Sequence, residues 1–197
     1  MGTVSNAWNR IFHSKRINFL GLKSSGKTQL LCSLGAKGVI PGVESHGEDY
    51  KSFSFRYEQS NKKKFIKCGI DYGGGLSVFR ANFTRLIKKG DYIFFVIDIN
   101  EFLNNTVTDE EGYPYQEAVL ARLDIINDTV TNVEKDKVHI ILTHTDLKPE
   151  FTPNKLIDMF TKYTHDKPYH VLTKNCRAVD ARDSAMVKRV FFSILDS

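Results

Sequence analysis

One stretch of the sequence decides the fold: Gly21-Leu22-Lys23-Ser24-Ser25-Gly26-Lys27-Thr28, which has the pattern GxxxxGK[ST]. The pattern binds phosphate only where a strand enters it and a helix leaves it, because that arrangement points backbone N–H groups and the helix N-terminus at the phosphates. Both conditions hold, since residues 16–20 form a short strand and residues 29–34 continue as a helix. We therefore expect Lys27 to reach the β- and γ-phosphates of a nucleotide and the Thr28 hydroxyl to bind Mg²⁺.

Composition and charge exclude several classes of protein. The 197 residues are 41% hydrophobic and 26% charged, which fits one globular domain. The formal charge of +5 is spread along the chain, so we expect no nucleic-acid partner. An anionic membrane surface remains an alternative partner for the basic residues. Cys32, Cys68 and Cys176 lie too far apart for a CxxC zinc site or a disulfide framework. Without an apolar run of roughly 18 to 20 residues, the sequence predicts a cytoplasmic protein that is soluble or peripherally attached.

Buried strands and helices alternate along the chain. Continuous apolar runs rich in β-branched and aromatic residues predict parallel strands at residues 17–20, 92–97 and 138–142. Three-to-four spacing of apolar residues predicts helices at residues 115–130, 152–163 and 181–195.

An antiparallel hairpin is predicted in the first third of the chain. Residues 50–58 alternate with a period of two, and residues 63–70 follow across a polar turn. The expected fold class is therefore α/β, with a mostly parallel six-stranded sheet, one antiparallel edge strand and helices on both faces.

The phosphate-binding loop of residues 21–28, the phosphate cradle, is shared by ATPases, nucleotide kinases and GTPases. Three further segments indicate which base is bound. Asp71-Tyr72-Gly73-Gly74 fits DxxG, in which the aspartate holds Mg²⁺ through water and the Gly74 N–H meets the γ-phosphate. Thr143-His144-Thr145-Asp146 follows a strand where GTPases carry NKxD, and the Asp146 carboxylate can accept two hydrogen bonds that only guanine offers. Asn175-Cys176-Arg177-Ala178 follows a strand predicted at residues 169–173, where a backbone amide meets the guanine O6.

These segments resemble the Arf and Arf-like branch of the Ras-like small GTPases over nearly the whole chain. The resemblance is carried by Gly21-Leu22, Val39-Ile40-Pro41, Gly73-Gly74, the segment from Phe79-Arg80 to Phe94-Phe95-Val96-Ile97-Asp98, and Met1-Gly2 with Asn9-Arg10-Ile11-Phe12. It implies a single-domain P-loop GTPase fold over residues 16–197, after an amphipathic segment at residues 1–15. It also implies a GTP/GDP-dependent switch whose partners are effector proteins, an exchange factor and a GTPase-activating protein.

The residues expected at the site follow from these motifs. The nucleotide contacts are expected from Gly21, Leu22, Lys23, Ser24, Ser25, Gly26, Lys27, Thr28, Gln29, Gly74, Thr143, His144, Asp146, Leu147, Cys176 and Arg177. The Mg²⁺ ligands are expected to be Thr28, Asp71 and Ser45, and the catalytic contacts Lys27 and Gly74.

Two departures from the family concern hydrolysis and the first switch. Gly75 stands where the family places the glutamine that orients the attacking water, so we expect slow intrinsic hydrolysis of GTP. Pro41 is followed by Gly42 instead of the threonine that binds Mg²⁺, and the nearest hydroxyl is Ser45. Either Ser45 substitutes through a shifted loop, or the switch does not close in the usual way.

Two other departures concern the base loop and an insertion. Thr143 and His144 replace the usual asparagine and lysine, so we expect guanine preference to be kept and affinity to fall by about 1 to 2 kcal/mol. Residues 100–113 are longer and more acidic than the equivalent link in the family, and we expect them to form a surface loop.

The N-terminal segment is a candidate for peripheral membrane contact through residues 2–12. Val4, Trp8, Ile11 and Phe12 fall on one side at helical spacing. The family carries a myristoyl group on the glycine after Met, but Asn6 stands where that acylation pattern favours Ser or Thr. The alternative is that this helix packs on the core.

Two competing functions remain beside the switch. Gly75 and Gly42 are compatible with a pseudo-GTPase, an interaction scaffold that stays loaded with GTP. A P-loop small-molecule kinase is the other alternative, although the chain lacks an evident arginine-rich lid for an acceptor.

Overall fold

The central strands of the sheet are the most apolar runs of the chain. In the computed structural model, which describes residues 14–36, 48–60, 62–72, 76–131 and 134–196, these strands are β1 (Lys15–Leu20), β6 (Tyr92–Asp98) and β7 (Val138–Thr143). All six residues of β7 are buried, as expected for a parallel strand that is covered on both faces. The strands predicted at residues 17–20, 92–97 and 138–142 are therefore confirmed.

The sheet has six strand positions, two of which are broken into two segments. The remaining strands are β2 (Glu48–Tyr50), β3 (Phe53–Arg56), β4 (Lys63–Lys67), β5 (Gly69–Tyr72) and β8 (Cys176–Ala178). The order is β2-β5-β1-β6-β7-β8, while β3 and β4 continue the edge beside β1. Only the edge formed by β2 and β3 runs antiparallel among the described strands, which confirms the predicted sheet and its hairpin.

Helices cover both faces of this sheet. They are α1 (Lys27–Leu34), α2 (Leu76–Lys89), α3 (Ile99–Asn104), α4 (Tyr115–Thr129), α5 (Pro153–Thr164) and α6 (Ser184–Asp196). Alternate residues of β6 point to opposite faces, so Phe95 packs with α2 to α5 and Phe94 packs with α1 and α6. Each face has its own apolar cluster, and burial of the two clusters fixes the register of the sheet.

One predicted strand is wrong. Residues 169–173 lie in a 3₁₀ helix, Pro168–Asn175, and the strand follows only at Cys176–Ala178. Pro168 suits the first turn of a helix because it lacks an N–H donor. Tyr169 and Leu172 then lie three residues apart and bury their side chains in the same cluster.

The acidic insertion is more ordered than the predicted surface loop. Its first residues belong to α3, whose N-terminus is capped by Asp98, because that carboxylate accepts a hydrogen bond from the Glu101 N–H. Farther along, the buried Asp109 carboxylate accepts hydrogen bonds from the backbone N–H groups of Glu111 and Tyr113. It also lies 3.4 Å from the buried guanidinium of Arg122 on α4, so an ion pair holds the insertion against the domain.

The predicted boundary between residues 15 and 16 falls inside β1, which begins at Lys15. The rest of the predicted amphipathic segment, residues 1–13, lies outside the described residues. In the part of the chain that the structure describes, no helix is both long and apolar enough to span a bilayer.

His139 is a buried titratable group in the apolar face beside α6. Its ring stacks on Phe94 at a centroid distance of 5.4 Å, and neither ring nitrogen has a hydrogen-bond partner among the described residues. Burial is the main cause that lowers the pKa of His139 to about 4, and the charge of Arg177 acts in the same direction. The folded state therefore holds this imidazole in its neutral form.

His139 makes the fold sensitive to acid. The unfolded chain binds the proton more strongly, so stability is lost as the pH falls from about 6.5 towards 4. We expect His139→Phe to remove about 2 kcal/mol of the loss between pH 7.5 and pH 4.5, since one pKa unit corresponds to about 1.4 kcal/mol. Urea denaturation at both pH values measures this difference. Equal acid sensitivity of His139→Phe and the parent protein would contradict the assignment.

Candidate nucleotide-binding site

The phosphate cradle lies at the edge of the sheet where the central parallel strands end. β1 and β6 are paired up to Leu20 and Phe95, so the loop that leaves β1 crosses directly beside β6. A Cβ atom on Gly21 would lie 2.3 Å from the Val96 carbonyl oxygen, and only glycine allows this approach. The cradle then turns into α1 through Gly26, which has φ +88° in the left-handed region.

Lys27 extends back into the cradle from the first turn of α1. Its ammonium donates hydrogen bonds to the carbonyl oxygens of Leu22 at 2.7 Å and Gly21 at 3.2 Å, and lies 3.4 Å from the Ser25 hydroxyl. The residue is only 4% exposed. Burial lowers the pKa of Lys27 to about 8, whereas the charge of Asp71 acts in the opposite direction. Phosphate oxygens entering this loop would supply anionic partners to an ammonium whose hydrogen-bond acceptors are neutral.

The side chains of Thr28 and Asp71, predicted as Mg²⁺ ligands, are in contact beside the cradle. The Thr28 hydroxyl donates a hydrogen bond of 3.0 Å to Asp71 Oδ2, which joins the start of α1 to the end of β5. Asp71 is 3% exposed, and its other oxygen, Oδ1, has no hydrogen-bond partner within the described residues. A buried carboxylate oxygen without a donor, next to a hydroxyl, fits the oxygen ligands that Mg²⁺ prefers. No group of three or more His, Cys, Asp or Glu side chains in the described ranges could hold a metal ion.

Thr143 joins the cradle to the loop that leaves β7. Its side chain is fully buried, and its hydroxyl lies 2.7 Å from the Ser25 carbonyl oxygen and 3.1 Å from that of Ile97. A Cβ atom on Gly26 would lie 3.2 Å from the same hydroxyl. Thr143 thus supports the back of the phosphate loop, whereas the sequence predicted it as a contact to the nucleotide.

His144 lies at the turn between β7 and the base loop, with φ 55° in the left-handed region. Its Nδ1 is 3.1 Å from Oδ2 of Asp98, whose other oxygen caps α3. Burial raises the pKa of the Asp98 carboxyl, and the charge of His144 acts against this shift. The imidazole therefore has a charged partner at the end of β6, which holds its ring beside the cradle.

Asp146, the predicted base-selecting residue, lies in a short 3₁₀ helix, Thr145–Leu147, directly after this turn. Its side chain is 18% exposed and accepts a hydrogen bond from Nη2 of Arg182. Next to it, the Leu147 side chain is 53% exposed, which leaves an apolar surface at the edge of the base loop. A carboxylate and an exposed apolar side chain together suit the edge and the face of a planar base.

The other residues of the cradle differ in whether their side chains are exposed or buried. Lys23 and Ser24 are exposed at its rim, whereas Leu22 packs into the apolar cluster beneath it. Gln29 lies on α1, and its side-chain amide donates to the Ser33 hydroxyl at 3.4 Å. The backbone of these residues can therefore contact a ligand, but the side chains of Leu22 and Gln29 are directed elsewhere.

Cys176 and Arg177 do not lie in the loop for which they were predicted. Both belong to β8, where they pair with Ile140 and Ile141 of β7. The Cys176 thiol faces the core, and burial raises its pKa. The loop at the carboxyl end of the sheet begins five residues later than predicted, at Val179, because residues 168–175 form a 3₁₀ helix and the strand follows it, ending at Ala178 instead of Thr173.

Several predicted residues lie outside the described residues. These are Gly74 and Gly75 after β5, and Gly42 and Ser45 in the first switch. Their roles stay predictions.

Two residues of the site were not predicted as such from the sequence. Asp98 ends β6 at the same sheet edge as the cradle, and a carboxylate at that position of a parallel strand is a signal that the sequence does contain. Arg182 had no such signal, because it lies 36 residues from Asp146 and reaches it only through the fold.

Comparisons with known proteins agree with this architecture. No protein-family model matches the chain, and no curated protein is similar to it in sequence. Among solved structures, the Arl6 (BBS3) small GTPase from Trypanosoma brucei, with the nucleotide analogue GppNp bound, aligns with a TM-score of 0.57. The two chains are 14% identical, and the alignment covers 93% of this chain and 96% of that chain. The chain therefore has the fold of the Arf-like small GTPases, a single-domain P-loop fold, as the sequence predicted.

Thr143 gives a test of how the two loops are coupled. Thr143→Val keeps the shape of the side chain but leaves the buried Ser25 carbonyl without its donor, so we expect a loss of about 1 to 3 kcal/mol in unfolding free energy. Because the cradle also loses its support, nucleotide affinity should fall. Denaturation and calorimetric titration measure the two effects. Thr129→Val, which removes a 2.7 Å hydroxyl bond to Ile125 within α4, should leave nucleotide affinity unchanged; unchanged affinity in Thr143→Val would disprove the coupling.

Proposed function

We propose that this chain is an Arf-like guanine-nucleotide-binding protein that acts as a GTP/GDP-dependent switch with slow intrinsic hydrolysis. One observation carries the proposal: the fold brings the Lys27 cradle and the Asp146 carboxylate to the same sheet edge and couples them through Thr143. A phosphate-binding loop alone is common to many nucleotide enzymes, but this carboxylate at the end of β7 adds a guanine-selective partner.

The two ends of the site would bind different parts of the nucleotide. Lys27 and the backbone N–H groups of the cradle would bind the phosphates, and Thr28 and Asp71 would hold Mg²⁺. When bound, the ion would neutralise part of the phosphate charge. Asp146 would accept hydrogen bonds from the guanine N1–H and exocyclic amine, and Leu147 offers an apolar surface beside the base. The similar structure of Arl6, which contains GppNp, supports the binding of a nucleotide.

The switch itself would reside in residues 37–49 and 72–89. Effector proteins would read the conformation of these segments, and an exchange factor and a GTPase-activating protein would control the nucleotide state. Gly75 motivates slow unaided turnover, because a glycine has no side chain to orient the attacking water.

The segment ahead of β1, residues 1–14, would be amphipathic, and residues 2–12 would make peripheral contact with a membrane from a cytoplasmic position. Mass spectrometry of the native protein tests whether Gly2 is acylated. A vesicle sedimentation assay, with and without residues 1–13, tests the contact itself.

Guanine preference is the first property to measure. We expect calorimetric titration with Mg²⁺ to give tighter binding of GDP and GTP than of ADP and ATP. Asp146→Ala should weaken GDP binding by about 100-fold, since two hydrogen bonds to a charged acceptor are worth about 3 kcal/mol. Asp158→Ala, at an exposed carboxylate on α5, is the matched control and should bind like the parent protein. Equal affinities for guanine and adenine nucleotides in the parent protein would refute the guanine assignment.

Hydrolysis is the second property. Single-turnover phosphate release should be well below the rate of an ordinary small GTPase, and Gly75→Gln should raise it by about tenfold or more by restoring a group that positions water. An ordinary rate in the parent protein would show that another group performs this task.

The nucleotide retained after gentle purification distinguishes the switch from a GTP-loaded scaffold. Retained GDP, identified by chromatography after denaturation, supports the cycling switch. GTP alone, held without turnover, would favour the scaffold that Gly75 and Gly42 suggest.

A further inference from the structure

Arg182 occupies a defined place beside the base-selecting carboxylate. It lies in the loop that follows β8, and its Nη2 donates a hydrogen bond to Asp146 Oδ2. Asp180 lies against both the backbone and the side chain of Arg182, because its Oδ1 accepts a 2.8 Å hydrogen bond from the backbone N–H of Arg182 and lies 3.6 Å from Arg182 Nε. The guanidinium thus lies between two carboxylates, and its side chain is 66% exposed to solvent.

The pair of Asp146 and Arg182 presents two kinds of hydrogen-bonding group to one ligand edge. The carboxylate offers acceptors, and the guanidinium next to it offers N–H donors in a planar fork. Nη1, the terminal nitrogen that does not contact Asp146, makes no hydrogen bond within the described residues. It is therefore available to a ligand that binds to Asp146.

Guanine has the complementary edge. Its exocyclic amine and N1–H are donors that match Asp146, and the adjacent O6 is an acceptor that matches a guanidinium. Adenine has an acceptor at N1 and a donor amine at position 6, so it would present the wrong group to both residues. The loop after β8 brings the guanidinium into hydrogen-bond contact with Asp146, so a base edge bound by this carboxylate would lie next to the N–H donors of Arg182.

We infer that Arg182 is a specificity-determining residue of the nucleotide site and donates a hydrogen bond to O6 of the base. The inference rests on the proposed function, and it adds a side chain to a position that the sequence analysis assigned only to a backbone amide. It also gives a reason for the unusual base loop, because a charged donor at O6 offsets the weaker affinity expected from Thr143 and His144.

Three diphosphates separate this role from other roles of Arg182. GDP carries both the 2-amino group and O6, inosine diphosphate keeps O6 but lacks the 2-amino group, and ADP lacks both and carries an amine in place of O6. Loss of an O6 contact must therefore weaken the binding of GDP and of inosine diphosphate by the same factor and leave the binding of ADP unchanged. If Arg182 had a purely structural role, its removal would weaken the binding of all three diphosphates. If Arg182 competed with the base for Asp146, its removal would make GDP bind more tightly.

The experiment is calorimetric titration of Arg182→Ala, Arg182→Lys and the parent protein with each diphosphate and Mg²⁺. We expect Arg182→Ala to bind GDP and inosine diphosphate about tenfold more weakly, on the scale of one hydrogen bond from a charged donor, with ADP unaffected. Arg182→Lys keeps a charge but not the planar fork and should lie between the two. Arg189→Ala, at an exposed arginine on α6, is the matched control and should bind like the parent protein.

The outcomes are distinct. GDP binding by Arg182→Ala that is unchanged, tighter, or weakened together with ADP would overturn the role of Arg182 while the proposed function stands. Failure of the parent protein to prefer guanine would instead remove the proposed function. Denaturation of the variants checks that each is folded before it is titrated.

Discussion

The buried ammonium of Lys27 is the constraint on which the cradle depends. A charge that is nearly excluded from water needs hydrogen-bond acceptors, and the loop supplies the carbonyl oxygens of Gly21 and Leu22. The loop can supply them only by passing close to β6 and by reversing direction at Gly26, and both features require glycine. The parallel sheet contributes the rest, because it places the end of β1 beside the end of β6. The geometry of the cradle is thus a consequence of where one charge is buried.

The base end of the site is organised by paired charges. Asp98 is bound to His144, and Arg182 lies between Asp146 and Asp180, so each buried or half-buried carboxylate has a basic partner. Ion pairs of this kind contribute little stability by themselves when exposed, but they fix the direction in which each group points. Here they align a carboxylate and a guanidinium along one edge. That alignment is what a base with adjacent donors and acceptors requires.

The sequence predicted most of the fold because the patterns of burial are strong. The runs that became β6 and β7 are apolar throughout, and only a strand covered on both faces requires that. The prediction failed where the local pattern was ambiguous. Residues 168–175 contain a short run of apolar side chains, a pattern that fits a buried strand and a tight helix equally. The segment is a 3₁₀ helix, in which Tyr169 and Leu172 both pack into the same apolar cluster. The error shifted the expected base loop onto Cys176 and Arg177.

By itself, the sequence determined the parts of the site that are contiguous along the chain. The phosphate cradle, the aspartate at the end of β5 and the aspartate after β7 are each specified by local spacing, because each needs only a strand end and a following turn. The tertiary structure alone decided how these parts interact. Thr143 supports Ser25, which is 118 residues away, and Arg182 reaches Asp146 across 36 residues. Hydrogen bonds depend on distances in space, and residues so far apart come within bonding distance only when the parallel strands align their ends at one edge of the sheet.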